Sequence, residues 1–392
     1  MFQLPSTLLP ALLWSAPWII PPLVTYIRLR HSRSLEEYSD VPPDDPPLVT
    51  VIVPARNEAH NIARCVTSIL STNYPRLEVV VVDDSSTDGT ADIARDAARG
   101  DTRVRVVRNP ALPTGWFGKQ WACATGARIA HGEILQFTDA DTVHAPDLVT
   151  RSINAMQDTA ADLFSVAGRQ ELGGFWERVV QPQMFTVLSM RYGGTESVTQ
   201  STRISSKIAN GQCIFVRKAS YDAIGGHGSV RASVAEDLLL AQRFFAARKR
   251  VVVMIGVKQL STRMYASLAD IITGWRKNVF AGGLDAVPFG KVGKSIFPLA
   301  LLLPPLLELL PALVLLFSAL GIAMASDTLR LWAIISCGAT LLWWIVVYLT
   351  IEENPLYSFV YPLGALVLLY IFVSSVIRGR RVTWKGRTYI SQ

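Results

Sequence analysis

Carboxylates gather at three places where the chain stops being apolar. Asp83 and Asp84 follow Val79-Val80-Val81-Val82, Asp139-Ala140-Asp141 follows Ile134-Leu135-Gln136-Phe137-Thr138, and Glu236-Asp237 opens a run that begins Leu238-Leu239-Leu240. Adjacent carboxylates at a strand end are costly unless a polar partner uses them, and a nucleotide base or sugar hydroxyl would. Asp-x-Asp on an extended segment can aim two carboxylates at a diphosphate-bound Mg²⁺ or Mn²⁺, directly or through water. Each has a plainer reading. Asp83-Asp84 can be an acidic turn before a helix capped by Ser86 or Thr87, with Asp88 in its first turn. Glu236-Asp237 can simply stabilise a helix N-terminus, and Asp-x-Asp alone is a weak signal.

The elements that carry these residues read as an α/β layer. Four consecutive β-branched residues at 79–82 fit a strand buried on both faces, and the Asp, Ser, Thr and Gly that follow mark a loop at its carboxyl end. Residues 48–54 are a second apolar strand, ending in Pro54-Ala55-Arg56-Asn57-Glu58, and residues 60–70 have helical periodicity. Residues 101–107 and 132–138 add two strands. Strand, loop, helix, strand, loop, helix is the start of a parallel sheet, and such sheets hold ligands at the carboxyl ends of their strands.

Val51-Ile52-Val53-Pro54-Ala55-Arg56-Asn57-Glu58, then Val82-Asp83-Asp84-Ser85-Ser86-Thr87-Asp88-Gly89-Thr90, then Asp139-Ala140-Asp141, in this order and spacing, resemble glycosyltransferase family 2. The resemblance continues through Gly211-Gln212-Cys213-Ile214-Phe215-Val216-Arg217 to Glu236-Asp237-Leu238. It implies a Rossmann-like GT-A domain with a mixed, mainly parallel sheet, and inversion at the sugar carbon by direct displacement from a nucleotide diphosphate sugar. By the same resemblance Pro54, Arg56 and Glu58 border the nucleotide, Asp84 hydrogen-bonds the base, and Asp139 lies by the ribose and diphosphate. Asp141 is the principal ligand of Mg²⁺ or Mn²⁺, with Asp139 beside it, and Asp237 is the general base with Glu236 as competitor.

Leu112-Pro113-Thr114-Gly115-Trp116-Phe117-Gly118-Lys119-Gln120-Trp121 is a glycine-punctuated aromatic loop before a helix, placing Lys119 where a phosphate can sit; a tight turn with its tryptophans in the core is the alternative. The pattern resembles the branch of the family that glycosylates carotenoids and other membrane isoprenoids. Processive polysaccharide synthases of the family carry Gln-x-x-Arg-Trp after the base. Gln259-Leu260-Ser261-Thr262-Arg263-Met264 and Gly274-Trp275-Arg276-Lys277 do not match it, which favours transfer of one sugar. Arg263, Arg276 and Lys277 are candidates for diphosphate or headgroup contacts.

Half of the 392 residues are hydrophobic, and the mean hydropathy of +0.29 exceeds that of ordinary soluble domains. The excess lies at the two ends. Residues 1–28 read as a membrane anchor kinked by Pro5, Pro10, Pro17, Pro21 and Pro22, followed by Arg28, Arg30 and Arg33, so the anchor runs from outside to inside. Residues 29–47 are a proline-rich linker, 48–283 the GT-A domain, 284–295 an interfacial connector, 296–377 a transmembrane or re-entrant region, and 378–392 a basic cytosolic tail. Three full crossings would put that tail outside, against the charge bias; a re-entrant segment at 296–325, with four prolines and Glu308, removes the conflict. The net charge of +7, gathered beside the apolar ends, fits an anionic membrane surface and not a nucleic acid. Four scattered cysteines fit a reduced, cytosol-facing protein.

The expectation is a membrane-anchored, bacterial inner-membrane type glycosyltransferase with a cytosolic active site, moving one hexose, UDP-glucose first among donors, to the hydroxyl of a membrane lipid. A polysaccharide or glycolipid synthase, and a non-catalytic nucleotide-binding membrane protein, are the alternatives; the sequence names no protein partner.

Overall fold

Val79 to Val82 are all solvent-inaccessible, as a strand with a core on each face requires. In the computed structural model, which describes residues 6–287, 290–322, 325–379, 381–384 and 387–390, they lie in β2 (Leu77–Asp83). In chain order the other strands are β1 (Val49–Ala55), β3 (Val104–Arg108), β4 (Ile134–Thr138), β5 (Thr142–His144), β6 (Leu163–Ala167) and β7 (Arg169–Gln170). They continue with β8 (Cys213–Arg217), β9 (Val251–Ile255), β10 (Leu260–Thr262), β11 (Arg381–Trp384) and β12 (Arg387–Ile390).

Seven strands form one sheet in the order β3-β2-β1-β4-β8-β6-β9. All neighbours are parallel except those of β8, which runs antiparallel to both β4 and β6. This is the mixed, mainly parallel sheet expected from the sequence. Because β1, β2 and β4 are adjacent and parallel, the loops leaving their carboxyl ends, with Arg56, Asp84 and Asp139, share one rim. Alternation along the strands divides the core: Val51, Val53, Val79 and Val81 pack with the helix Ile62–Leu70 on one face. Ile52, Val80 and Val82 face the helices Gly118–Ile129 and Glu236–Ala246 on the other. Each such side chain contributes about 1.5–3 kcal/mol when fully buried. The four cysteines are all free thiols.

One of the plainer readings is corrected. The helix after β2 starts at Thr90, not beside Ser86 or Thr87, because Gly89 at its N-cap takes a φ of +86°, which glycine adopts without steric cost. Ser86 and Thr87 instead tie the loop to its neighbour: Asn57 N–H donates to Ser86 Oγ at 3.0 Å, and Thr87 N–H to Asn57 Oδ1 at 2.9 Å. Leu35, within the stretch 29–47, is fully buried in the sheet core.

The helices Leu8–Trp14 and Ala16–Leu29 meet at a 50° bend, and the helices Gly290–Ala319 and Asp327–Thr350 and the segment Pro355–Arg378 are each long and apolar enough to cross a membrane. Gly290–Ala319 stays helical through Pro298, Pro304, Pro305 and Pro311. The N-terminal pair packs on these helices at one end, through Trp18 Nε1 to the Leu307 carbonyl (2.8 Å) and Trp332 Nε1 to the Trp14 carbonyl (3.2 Å). At the other end Arg28 donates to the Tyr192 carbonyl of the helix Phe175–Tyr192. Asp327–Thr350 returns to the same helix, where Tyr348 donates to the Arg178 carbonyl and Glu353 pairs with Arg178 at 3.0 Å. Tyr361–Arg378 is tied at both ends to helices that follow the sheet: Gln183 Nε2 donates to the Tyr361 carbonyl, and Ser375 Oγ to the Arg276 carbonyl.

Candidate active site

The rim begins with two loops stapled together. Arg56 Nη1 donates to the carbonyls of Asp84 and Ser85, at 2.5 and 3.2 Å, fixing the loop after β1 to the loop after β2. Glu58 accepts from Asn61 Nδ2 at 3.1 Å, and its N–H donates to Thr90 Oγ1 at 2.8 Å. Asp84 is not an open carboxylate. Its side chain is 3% exposed, with Oδ1 accepting from Asn109 Nδ2 at 3.0 Å and Oδ2 holding Arg387 Nη1 of the C-terminal hairpin at 2.5 Å.

Lys119 stands at the opening of the helix Gly118–Ile129, where the glycine-rich loop ends. Its ammonium lies 2.7 Å from Asp139 Oδ1 and 2.8 Å from Glu236 Oε1. The residue expected beside a phosphate is thus bound to two carboxylates, because the helices from 118 and 236 both begin at this rim. Burial works against a charged Lys119, yet Asp139 and Glu236 raise its pKa well above the ordinary lysine value. Burial likewise disfavours Glu236 as an anion, but the Lys119 ammonium brings it net below the usual carboxylate range. Asp237 lacks such a counter-ion. Its oxygens accept from the N–H groups of Gly211 (3.0 Å) and Leu238 (2.8 Å), while burial and the Glu236 charge push it up to about 6.

Asp141 turns one oxygen, Oδ1, into a buried position with no hydrogen-bond partner. Burial, with the like charges of Asp139 and Glu58, pushes it up to about 7. An orphaned carboxylate oxygen among like charges fits a divalent cation. Among the described residues no three His, Cys, Asp or Glu side chains form a closed cage. Mg²⁺ is usually bound through one or two carboxylates plus substrate phosphates. Behind the motif sits a network the sequence did not reveal. Thr142 Oγ1 donates to the Asp139 carbonyl at 2.8 Å, Thr138 Oγ1 to the Gln212 carbonyl at 2.8 Å, and His144 Nε2 lies 3.0 and 3.2 Å from the two hydroxyls. Burial pushes His144 down to about 3, so it is neutral. The signal available was Thr142-x-His144 directly after Asp-x-Asp, two inward positions of one extended segment.

Pro54, Arg56, Glu58, Asp84, Lys119, Asp139, Asp141, Glu236 and Asp237 all border one cavity of about 2200 Å³. It continues to Phe297, Leu301, Trp343, Val347 and Phe372 on the apolar helices. Arg263 and Lys277 line it too. Arg263 is committed to a forked pair with Glu177, at 2.9 and 3.0 Å, and Glu177 is 1% exposed; that partner was not foreseen. Arg276 is not among the lining residues, and serves through its carbonyl as the seat of Ser375. Below the rim His227 is buried against Tyr221, with 2.9 Å between His227 Nδ1 and the phenol oxygen.

The rim, the acidic motif and the mixed sheet belong to one α/β domain. Residues 50–225 match the family described as Glycosyl transferase family 2. A 4,4'-diaponeurosporenoate glycosyltransferase of Staphylococcus haemolyticus is 29% identical over 245 residues, covering 61% of this chain and 63% of that protein. The enzyme of that name from Staphylococcus aureus is 30% identical over 243 residues, with the same coverage. The chain thus spans 63% of the length of the curated relatives it matches. A solved mannosyltransferase from Pyrobaculum calidifontis, in complex with GDP-Man and Mn²⁺, has the same fold, with a TM-score of 0.59 at 21% identity over 94% of this chain and 97% of that one.

Proposed function

We propose that this chain is a metal-dependent, inverting glycosyltransferase that moves one hexose, glucose from UDP-glucose, to the hydroxyl of a membrane lipid of the carotenoid or isoprenoid class. The observation that carries the reading is the single cavity joining Asp139, Asp141 and Asp237 to Leu301, Val347 and Phe372. Polar chemistry and an apolar acceptor path share one space, as transfer from a water-soluble donor to a lipid requires. The relatives' names support the acceptor class.

Asp141 and Asp139 would hold Mg²⁺ or Mn²⁺ with the donor diphosphate, and the ion, when bound, supplies the neutralisation of charge on that leaving group. Asp237 receives the proton of the acceptor hydroxyl as its oxygen attacks the sugar carbon. Its pKa of about 6 suits a base working near neutrality. Glu236, paired with Lys119, holds the edge of the site. The relatives' acceptor is named as a carboxylate, which attacks without losing a proton; the placement of Asp237 fits a hydroxyl.

The same contacts support a membrane arrangement. Arg387 on Asp84 puts the chain end on the side of the sheet, so an even number of crossings separates residue 287 from 381. Gly290–Ala319 and Asp327–Thr350 then form the crossing hairpin. Tyr361–Arg378, tied at both ends beneath the domain, is the apolar helix that does not cross, in place of 296–325. With the charge bias of the basic flanks, the site faces the cytosol.

The test is transfer from UDP-glucose to carotenoid alcohols in vesicles carrying the protein and Mn²⁺, with mass spectrometry of the lipids. A glucosylated lipid absent from the Asp141→Ala preparation is expected. No transfer to any lipid from UDP-glucose or another common nucleotide sugar would overturn the reading.

A further inference from the structure

Three carboxamides meet on the cavity wall where two sheets approach each other. Asn210 and Gln212 precede β8, Gln170 closes β7, and all three border the cavity. Asn210 Nδ2 donates to the Val166 carbonyl at 3.0 Å and Asn210 Oδ1 accepts from the Gln212 N–H at 3.3 Å, which fixes the orientation of that amide. The same Nδ2 donates to Gln212 Oε1 at 3.3 Å, and Gln170 Nε2 donates to that oxygen at 3.1 Å. Both bonds fall on the oxygen of Gln212, so its NH₂ group is turned away from them, and it has no acceptor among the described residues. Gln170 Oε1 is the converse, a buried acceptor with no donor among the described residues. A donor and an acceptor side by side are the set that a hydroxyl satisfies, because it both donates and accepts. An alkyl chain uses neither, and an ionised phosphate only the donor.

The backbone of Gln212 says which hydroxyl is in reach. Its carbonyl accepts from Thr138 Oγ1 at 2.8 Å, one residue before Asp139, and the N–H of the preceding Gly211 donates to Asp237 Oδ2 at 3.0 Å. Gln212 thus stands between the carboxylates assigned to the diphosphate-bound cation and the carboxylate assigned as base. In a direct displacement the sugar carbon lies between the leaving oxygen and the attacking one, so the hexose ring fills the space beside this residue. We propose that Gln212 and Gln170 read one hydroxyl of the transferred sugar, Gln212 through its NH₂ group and Gln170 through Oε1, with Asn210 holding the Gln212 carboxamide in place. The pair sets which hexose is accepted. This rests on the nucleotide-sugar reading given above.

The experiment is calorimetric binding of UDP-glucose and of UDP, each with Mn²⁺, to the full chain in detergent, with GDP-mannose and GDP in their place if the wild type prefers them. Gln212→Met is expected to weaken the sugar nucleotide about three- to tenfold, the scale of one hydrogen bond, and to leave the bare nucleotide unchanged. Gln170→Met should do the same. Analogues of the sugar nucleotide lacking one sugar hydroxyl each locate the contact: one of them should lose affinity for the wild type and lose none for Gln212→Met. A mere tie between the two sheets would weaken sugar nucleotide and bare nucleotide alike, so the ratio of the two affinities carries the test even where a variant's thermal midpoint falls. Unchanged binding of the sugar nucleotide in both variants, equal losses for it and the bare nucleotide, or a raised KM for the lipid acceptor alone overturns the proposal. Wild-type protein that binds neither sugar nucleotide would instead bring down the proposed function, and this inference with it.

Discussion

The ammonium of Lys119 lies 2.8 Å from Glu236 Oε1, joining the starts of two helices that are 118 residues apart in the chain. The same ammonium reaches Asp139, so one cation holds two of the three acidic clusters together. Removing it leaves the buried Glu236 and the partly exposed Asp139 without their cation, and breaking a buried pair from one side costs up to about 3–5 kcal/mol. Lys119→Met should lower the thermal midpoint accordingly. Adding Glu236→Gln should restore part of the loss by deleting one of the stranded charges; a double variant less stable than the single one would refute this account of the pair.

Asp237→Asn should leave nucleotide affinity unchanged while turnover falls ~10²–10⁴-fold, the usual scale of a lost acid or base. A base must be deprotonated to act. Asp237, pushed up to about 6, is ionised above that pH, so wild-type activity should fall about tenfold per unit on acidification below pH 6. If Glu236→Gln does the damage and Asp237→Asn does not, the base is the other carboxylate.

Asp141→Ala removes the unpartnered oxygen to which the cation site is assigned. Nucleotide binding that is strengthened by Mn²⁺ in the wild type should become insensitive to Mn²⁺ and to EDTA in this variant. Retained metal dependence would place the ion elsewhere.

Val347 borders the apolar end of the cavity, far in sequence from every acidic motif. Val347→Trp should raise the KM for a lipid acceptor by about tenfold, the scale of a pocket misfit of 1–3 kcal/mol, and leave nucleotide affinity alone. Equal effects on both substrates would argue against separate donor and acceptor ends.

The proposed crossings predict sidedness. With Cys337 replaced by serine, Arg378→Cys should react with an impermeant maleimide from the side bearing the sheet domain. Ile322→Cys, 68% exposed in the native chain and beyond the helix Gly290–Ala319, should react from the opposite side. Labelling of both positions from one side would refute the hairpin.

The sheet and its acidic rim were legible because the information is local. A run such as Val79–Val82 is buried on both faces wherever it sits, and a parallel sheet collects the loops at its carboxyl edge, so Asp84, Asp139 and Asp141 fall on one rim by topology. The partners of those residues were not legible. Lys119 looked like a phosphate ligand and is held by Asp139 and Glu236; Arg263 looked like a diphosphate contact and is held by Glu177; Arg276 lies off the cavity. For Lys119 and Arg263, which opposite charge comes within 3 Å depends on how helices far apart in sequence dock. Of the tail motif Trp384-Lys385-Gly386-Arg387, Lys385 and Gly386 lie outside the described residues, while Arg387 meets Asp84.

The sequence by itself determined the apolar strands of the parallel part of the sheet and the acidic residues that follow them, since these follow from side-chain periodicity and residue type. Only the tertiary structure decided which carboxylate is neutralised by lysine and which is left to titrate near 6, where the apolar helices open onto the site, and that the last residues return to the first loops. Those outcomes hang on distances of a few ångströms between segments separated by more than a hundred residues, and at that range the Coulomb and desolvation terms that set a group's role leave no trace in local sequence.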